Sequence, residues 1–389
     1  MKRVFLIVLD SFGIGELPDA GKFGDKGANT LRSVAKSQYF NIPNLIKSGL
    51  GNIDGVDCIE KNDTPSAAFG KCAELSAGKD TTVGHWEIAG IVSEKRFPTF
   101  PDGFPRELID RFSKETGRGV LCNKPYSGTE VIKDYGEEHI KTGKLIIYTS
   151  QDSVFQIAAH ESVVPVEELY RYCSIARKLL TGPFGVGRVI ARPFEGEYPF
   201  KRTANRHDFS IEPIGKTVLD AVCENSLSSI SVGKIYDIFA KRGITEYYLS
   251  HSNTEGMEIT LKITDKDFSG LCFTNLVDFD MVYGHRNDSD GYARALSEFD
   301  AWLPSFIARM REDDILIVTA DHGCDPGDVS TDHTREYIPL LIYGKKILPV
   351  NLGVCKTYAD IAATISDFLK LNYTCAGKSF LKEIMPDVL

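Results

Sequence analysis

The sequence predicts an α/β protein in which a largely parallel sheet lies between helices and a second, smaller unit is inserted into the chain. Three observations predict it. Short β-branched apolar runs each stop at a polar cluster, segments of helical periodicity lie between many of them, and one long stretch changes composition abruptly. The runs are Val4–Leu9, Leu145–Tyr148, Arg188–Ala191, Ser228–Val232, Cys272–Val277, Ile315–Thr319 and Ile338–Ile342. Their near-continuous hydrophobicity fits strands covered on both faces. Gly291–Met310 places Ala293, Leu296, Phe299, Ala301, Leu303 and Ile307 at helical spacing, and Asp360–Leu369 reads as helix in the same way. From about Phe97 to Pro213 the chain is rich in Pro, Gly and aromatic residues, opening with Phe97-Pro98-Thr99-Phe100-Pro101. Unstructured loops of that length are uncommon, so this stretch reads as an inserted domain. The expected division is a core of residues 1–97 and 213–389 and an inserted α+β cap domain of residues 98–212.

Composition removes several classes of function. The 389 residues carry 45 Lys and Arg against 54 Asp and Glu, a net charge of −9. Phosphate neutralisation on nucleic acid needs a concentrated basic face, so no nucleic-acid partner is expected. No apolar run approaches the ~18–20 residues of a membrane span. The amino-terminal apolar stretch is short and ends in Asp10, with no small-residue cleavage site, so it reads as a first strand. Nine cysteines without a single C-x-x-C fit reduced thiols in a cytoplasmic protein better than a disulfide framework or a thiolate zinc site. Two nucleotide-binding patterns fail. After Gly13-Ile14-Gly15 the third glycine of a dinucleotide fingerprint falls on Pro18, and Gly215-Lys216-Thr217 has Ser210 where a P-loop needs its first glycine.

The residues just past the strands carry the chemistry. The first run delivers Asp10. The run from Cys272 delivers Asp278 and Asp280, with His285 five residues beyond Asp280. The run from Ile315 delivers Asp321 and His322, and His333 comes next. Carboxyl ends of neighbouring parallel strands meet along one edge, where ligands bind. Asp10, Asp280, His285, Asp321, His322 and His333 are therefore expected to converge. Taken singly, each has a plain structural explanation as a turn residue, cap or hydrogen-bonded histidine; their joint placement after three strands favours a site. Six oxygen and imidazole donors suit two divalent ions of manganese, zinc or iron sharing a pocket. Such a pair can hold both the attacking and departing oxygens of a phosphoryl transfer. The small-residue loop Ala77-Gly78-Lys79-Asp80-Thr81-Thr82-Val83 leads into an expected helix at Trp86–Gly90. A hydroxyl there would sit among unpaired N–H groups that favour phosphate. On local sequence Thr81 and Thr82 compete equally, and Asp80 with Thr81 reads equally well as a cap.

The chain resembles the phosphopentomutases of the alkaline phosphatase superfamily from end to end. The resemblance rests on Val8-Leu9-Asp10-Ser11-Phe12-Gly13-Ile14-Gly15 and on Gly78-Lys79-Asp80-Thr81 with Gly84-His85-Trp86-Glu87. It extends to Asn275–Asp280 with Gly284-His285-Arg286, and to Thr319-Ala320-Asp321-His322-Gly323 with Thr331–Glu336. It implies an alkaline-phosphatase-like core and an intramolecular phosphotransferase of the isomerase class. The implied reaction interconverts α-D-ribose 1-phosphate and D-ribose 5-phosphate, and the 2-deoxyribose pair, in nucleoside salvage. By resemblance Thr81 is the phosphorylated residue. One ion would be held by Asp10, Asp321, His322 and Thr81, the other by Asp280, His285 and His333, with manganese the usual metal. Arg188 and Arg202 would grip the substrate phosphate, Ser150, Asp152, Val154 and Ile190 would line the sugar site, and Lys234 is a further substrate-binding candidate. A bisphosphate sugar would act as activator, and no obligate protein partner is expected. Independently of the family, five Lys and Arg residues between Arg188 and Arg206 stand out in an acidic protein and suit phosphate, though a solvated surface or salt bridges explain them equally well. The rival readings are a metal-dependent phosphomonoesterase on the same centre and a non-catalytic sugar-phosphate binding protein.

Overall fold

The computed structural model describes residues 1–150 and 153–386. In chain order its strands are β1 (Arg3–Leu9), β2 (Ala68–Cys72), β3 (Val120–Pro125), β4 (Leu145–Thr149), β5 (Val154–His160), β6 (Arg188–Glu195), β7 (Lys201–Arg202), β8 (His207–Ser210), β9 (Ser228–Val232), β10 (Glu246–Tyr248), β11 (Gly270–Leu276), β12 (Asp314–Thr319), β13 (Ile338–Tyr343) and β14 (Asn351–Cys355). The chain divides into two compact units, Met1–Lys95 with Pro213–Leu389, and Arg96–Glu212.

The first unit is built on an eight-stranded sheet in the order β10-β9-β11-β1-β12-β13-β2-β14. From β10 to β12 every pairing is parallel, whereas β13 runs antiparallel to both β12 and β2. This is the α/β class that the apolar runs predict. Six buried apolar side chains, Val4 to Leu9, put β1 at the centre; each contributes about 1.5–3 kcal/mol relative to exposure. The register pairs Leu9 with Leu276 and Val8 with Thr319, so the three central strands finish level with one another. At their other end Arg3 pairs in register with Asp314. Its guanidinium meets both carboxylate oxygens, at 2.6 and 2.9 Å, and donates to the carbonyls of Thr264 and Lys266.

Strands β2 and β14 carry no strong pattern, because each is interrupted by glycine. The interruption has a cause: a Cβ on Gly70 would lie 2.9 Å from the carbonyl oxygen of Gly353 on the neighbouring strand. The long helix Ser289–Arg309 begins two residues before the periodic segment, since Asp288 accepts a hydrogen bond from the Gly291 N–H and caps it. Among the described residues no helix is long and apolar enough to cross a membrane. All nine cysteines are free thiols.

The second unit has a six-stranded mixed sheet in the order β3-β4-β5-β6-β7, with β8 also paired to β6. Its two parallel pairs, β3 with β4 and β5 with β6, are joined by the helices Gly128–Thr142 and Val166–Leu179. Parallel neighbours need such a crossover. Separate apolar clusters form around Phe104, Phe112, Phe155 and Leu169 and around Val131, Ile146 and Phe194.

Candidate metal centre

The level strand ends decide where the polar groups fall. Asp10 is the first residue past β1, and Asp321 and His322 lie two and three residues past β12. After β11 the chain enters a π-helical turn, Phe279–Tyr283, which carries Asp280, and a 3-10 turn, Gly284–Arg286, which carries His285. His333 sits on the segment returning to β13. Asp278, the first carboxylate after β11, is turned away: it accepts from the Asn253 N–H at 2.7 Å, while its own N–H donates to Asn253 Oδ1.

All six candidate ligands meet. Donor atoms of Asp10, Asp321 and His322 lie within 4.8 Å of one another, as do those of Asp280, His322 and His333 and those of Asp280, His285 and Cys324. His322 Nε2 stands 3.1 Å from Asp321 Oδ2 and 3.5 Å from Asp10 Oδ1. His285 Nε2 and His333 Nε2 are 3.1 Å apart, on either side of the Asp280 carboxylate. The ring of His285 donates from Nδ1 to the Thr331 carbonyl, and that of His322 from Nδ1 to the Gly323 carbonyl. A backbone acceptor at Nδ1 leaves the Nε2 lone pair for a metal and fixes the ring's orientation.

The electrostatics call for cations. Asp10 Oδ1, Asp280 Oδ1 and Asp321 Oδ2 are buried carboxylate oxygens without a hydrogen-bond partner among the described residues. Native interiors leave few such groups. Burial, reinforced by the charge of Asp321, pushes Asp10 up to about 6. For Asp280, burial is outweighed by His333 and His285, which hold its carboxyl well below the usual range. Burial alone would depress the histidines, yet Asp280 takes His285 up to about 11 and Asp321 holds His322 well above its ordinary value. Three carboxylates and three imidazoles gathered in this way are a donor set that fits divalent metal.

The hydroxyl arrives on a helix that starts earlier than the sequence pattern shows. Asp80 accepts from the Val83 N–H and caps Thr81–Ile88, so Thr81 is the first helical residue instead of part of a loop ending at Trp86. The small side chains of that first turn hide its periodicity. Gly84 lets the helix approach β12's continuation, since a Cβ there would lie 2.1 Å from the Asp321 carbonyl oxygen. Thr81 Oγ1 faces His322 Nε2 at 3.1 Å, whereas Thr82 is buried. Lys234 brings its Nζ to 3.9 Å from Asp10 Oδ2.

In the second unit Val154 begins β5 opposite Arg188, the first residue of β6, and Ile190 comes next on the same face of β6. Ser150 directly follows β4; Asp152 lies outside the described residues. Arg202 pairs with Phe194, six positions from Arg188 along β6, roughly 20 Å at about 3.3 Å per residue. The register therefore does not place the two arginine backbones together. Two unassigned arginines, Arg192 and Arg206, share the region with one carboxylate, Asp208. Burial and the nearby Arg206 lower Arg192 to about 10, and Arg206 and Arg188 overcome burial to hold Asp208 low.

Two residues of the core centre escape a reading by spacing. Cys324 comes directly after His322-Gly323, yet no C-x-x-C marks it; burial pushes its thiol up to about 11, and its Sγ meets the Asp332 carbonyl at 3.5 Å. Asn275 donates to Asp10 Oδ2 at 2.9 Å from inside β11, where an amide looks like an ordinary strand residue.

Comparison with known proteins identifies the family. The Metalloenzyme superfamily profile matches residues 2–373. A phosphopentomutase of Lachnoclostridium phytofermentans is 61% identical over 388 residues, covering 99% of this chain and 100% of its own. One of Acetivibrio thermocellus is 56% identical over the same shares. Among solved structures, the PH0037 protein of Pyrococcus horikoshii aligns over 97% of this chain and 99% of its own, with a TM-score of 0.50 at 13% identity. That last likeness shows the fold alone.

Proposed function

The chain belongs to the phosphopentomutase family of the metalloenzyme superfamily, and from that premise we propose that it interconverts α-D-ribose 1-phosphate and D-ribose 5-phosphate, and the 2-deoxyribose pair, through phosphorylated Thr81. The observation that carries this reading is the Thr81 hydroxyl, 3.1 Å from His322 Nε2 at the edge of a six-ligand pocket. Asp10, Asp321, His322 and Thr81 are assigned to one divalent ion, and Asp280, His285 and His333 to the other. When bound, the two ions, manganese by preference, would neutralise these carboxylates and offset the charge of the transferring phosphoryl oxygens.

The residues of the chain do the rest. Phospho-Thr81 gives its phosphoryl group to the free hydroxyl of a pentose monophosphate: the Thr81 oxygen–phosphorus bond breaks as the sugar oxygen–phosphorus bond forms. The bisphosphate then returns its other phosphate to Thr81. A loose phosphoryl transition state leaves little covalent work for side chains, so positioning and charge dominate. Arg188 and Arg202 are assigned to the substrate phosphate, Ser150, Asp152, Val154 and Ile190 to the sugar, and Lys234 to the substrate from the core. Exclusion of water from phospho-Thr81 separates a mutase from a phosphatase; residues 98–212 are assigned that role as a cap. A bisphosphate sugar recharges protein that has lost its phosphate, and the reaction serves nucleoside salvage in the cytoplasm.

Incubation with ribose 5-phosphate tests the reading. Ribose 1-phosphate should accumulate without inorganic phosphate, chelation should stop the reaction, and manganese should restore it better than magnesium. Release of inorganic phosphate would establish a phosphomonoesterase, and tight binding without turnover a binding protein.

A further inference from the structure

The Gly84-His85-Trp86-Glu87 motif contains an imidazole that neither the metal ligands nor the phosphate carrier account for. His85 is fully buried. Its Nδ1 lies 2.8 Å from the Thr81 carbonyl oxygen and 3.1 Å from Asp321 Oδ2. Its Nε2 lies 3.2 Å from Asn275 Nδ2, which is also 2.9 Å from Asp10 Oδ2, and its ring stacks on Phe273.

These contacts determine the proton's place. Asp10 Oδ2 is an acceptor, so Asn275 must turn its NH2 towards it; an amide oxygen there would set two acceptors against each other. The amide's two N–H groups then serve Asp10 and His85 Nε2. Since Nε2 accepts, the ring proton is on Nδ1, where the Thr81 carbonyl and the Asp321 carboxylate both stand. Asp321 is held from its other side as well, because Oδ1 accepts from the Ser11 N–H at 3.0 Å.

We propose that His85 is a positioning residue: in its Nδ1–H tautomer it hydrogen-bonds the Thr81 carbonyl while its ring stands against the Asp321 carboxylate, and it is linked through Asn275 to Asp10, so that the hydroxyl keeps its distance from the carboxylates. The proposal rests on the reading of Thr81 as the phosphate carrier. His85 touches no reacting atom. The first turn of a helix is held by few internal bonds, and a displacement of about 1 Å at a reacting group costs on the order of 100-fold in rate. His85 removes that freedom.

Two substitutions and one spectroscopic measurement test it. His85→Leu should lower kcat about 100-fold while leaving KM for ribose 5-phosphate within about twofold. His85→Asn places an amide N–H where Nδ1 stands and should recover most of the loss. A leucine variant with unchanged kcat, or an asparagine variant no better than leucine, overturns the proposal. Histidine 15N spectra of the unsubstituted protein should show Nδ1 protonated and Nε2 bare at His85; a proton on Nε2 overturns it whether or not the variants fold. A native protein inert towards ribose 5-phosphate would reject the mutase reading, while the spectra still decide the tautomer.

Discussion

At the amino end of β1 a buried arginine meets a buried aspartate; at the carboxyl end three aspartates meet three histidines. Arg3 gives Asp314 two parallel hydrogen bonds and spends a further nitrogen on two carbonyls, so each charge has its counterpart. Asp10, Asp280 and Asp321 instead leave three carboxylate oxygens without a hydrogen-bond partner among the described residues, facing imidazole nitrogens at 3.1–3.5 Å. Six residues of the same strand, Val4 to Leu9, separate a closed arrangement from an open one. A closed pair fixes register and binds nothing more. An open cluster gives up stability to keep ligand positions available, which is how a site differs from a buried ion pair of the same residue types.

Substitutions at the two ends should separate activity from stability. The largest effect is expected for Thr81→Ala: no ribose 1-phosphate should form and the intact mass should never gain a phosphate, with thermal unfolding little changed. Substantial retained turnover would remove Thr81 as the carrier. Arg3→Met should act the other way. It leaves Asp314 buried without its cation and should cost about 3–5 kcal/mol in denaturant unfolding, with kcat per folded molecule unchanged; a loss below about 1 kcal/mol would equate the pair with a surface bridge. A smaller, pH-dependent effect is expected for Asp10→Asn in chelated protein. A carboxyl raised from 3.8 to about 6 on folding binds its proton more tightly in the native state. Ionising it therefore takes stability away as pH rises from about 4 through about 6. Asp10→Asn should match the chelated wild type below that window and exceed it above; a gap that ignores pH would contradict the open-cluster account. Least of all, Arg309→Ala, which removes an exposed pair with Asp265, should shift stability by no more than about 0.5 kcal/mol.

How much was legible depends on which forces act locally. The strand-end aspartates could be read because apolar runs mark buried strands and a parallel sheet brings their ends together. That argument needs no knowledge of side-chain contacts. The early start of the Thr81 helix could not be read, because Thr-Thr-Val-Gly has no amphipathic period and the helix is positioned by Gly84 against Asp321, a contact 237 positions away in the chain. Strands β2 and β14 escaped for a similar reason: their glycines look like breaks until each is seen against the other. Asn275 and His85 lie inside the motifs that carry the family resemblance, yet their roles come from hydrogen bonds between strands and helix that spacing does not encode.

The central place of β1 also sets a timetable for assembly. Its flanking strands are β11 and β12, and Arg3 waits for a register partner 311 positions later. At about 5–20 residues per second that interval is roughly 15–60 s of synthesis. For most of it the most apolar strand of the core has neither neighbour, while residues 96–212 have already emerged with apolar clusters of their own. The nascent chain thus holds its stickiest segment open the longest, and shielding that segment on the ribosome becomes a requirement of the topology.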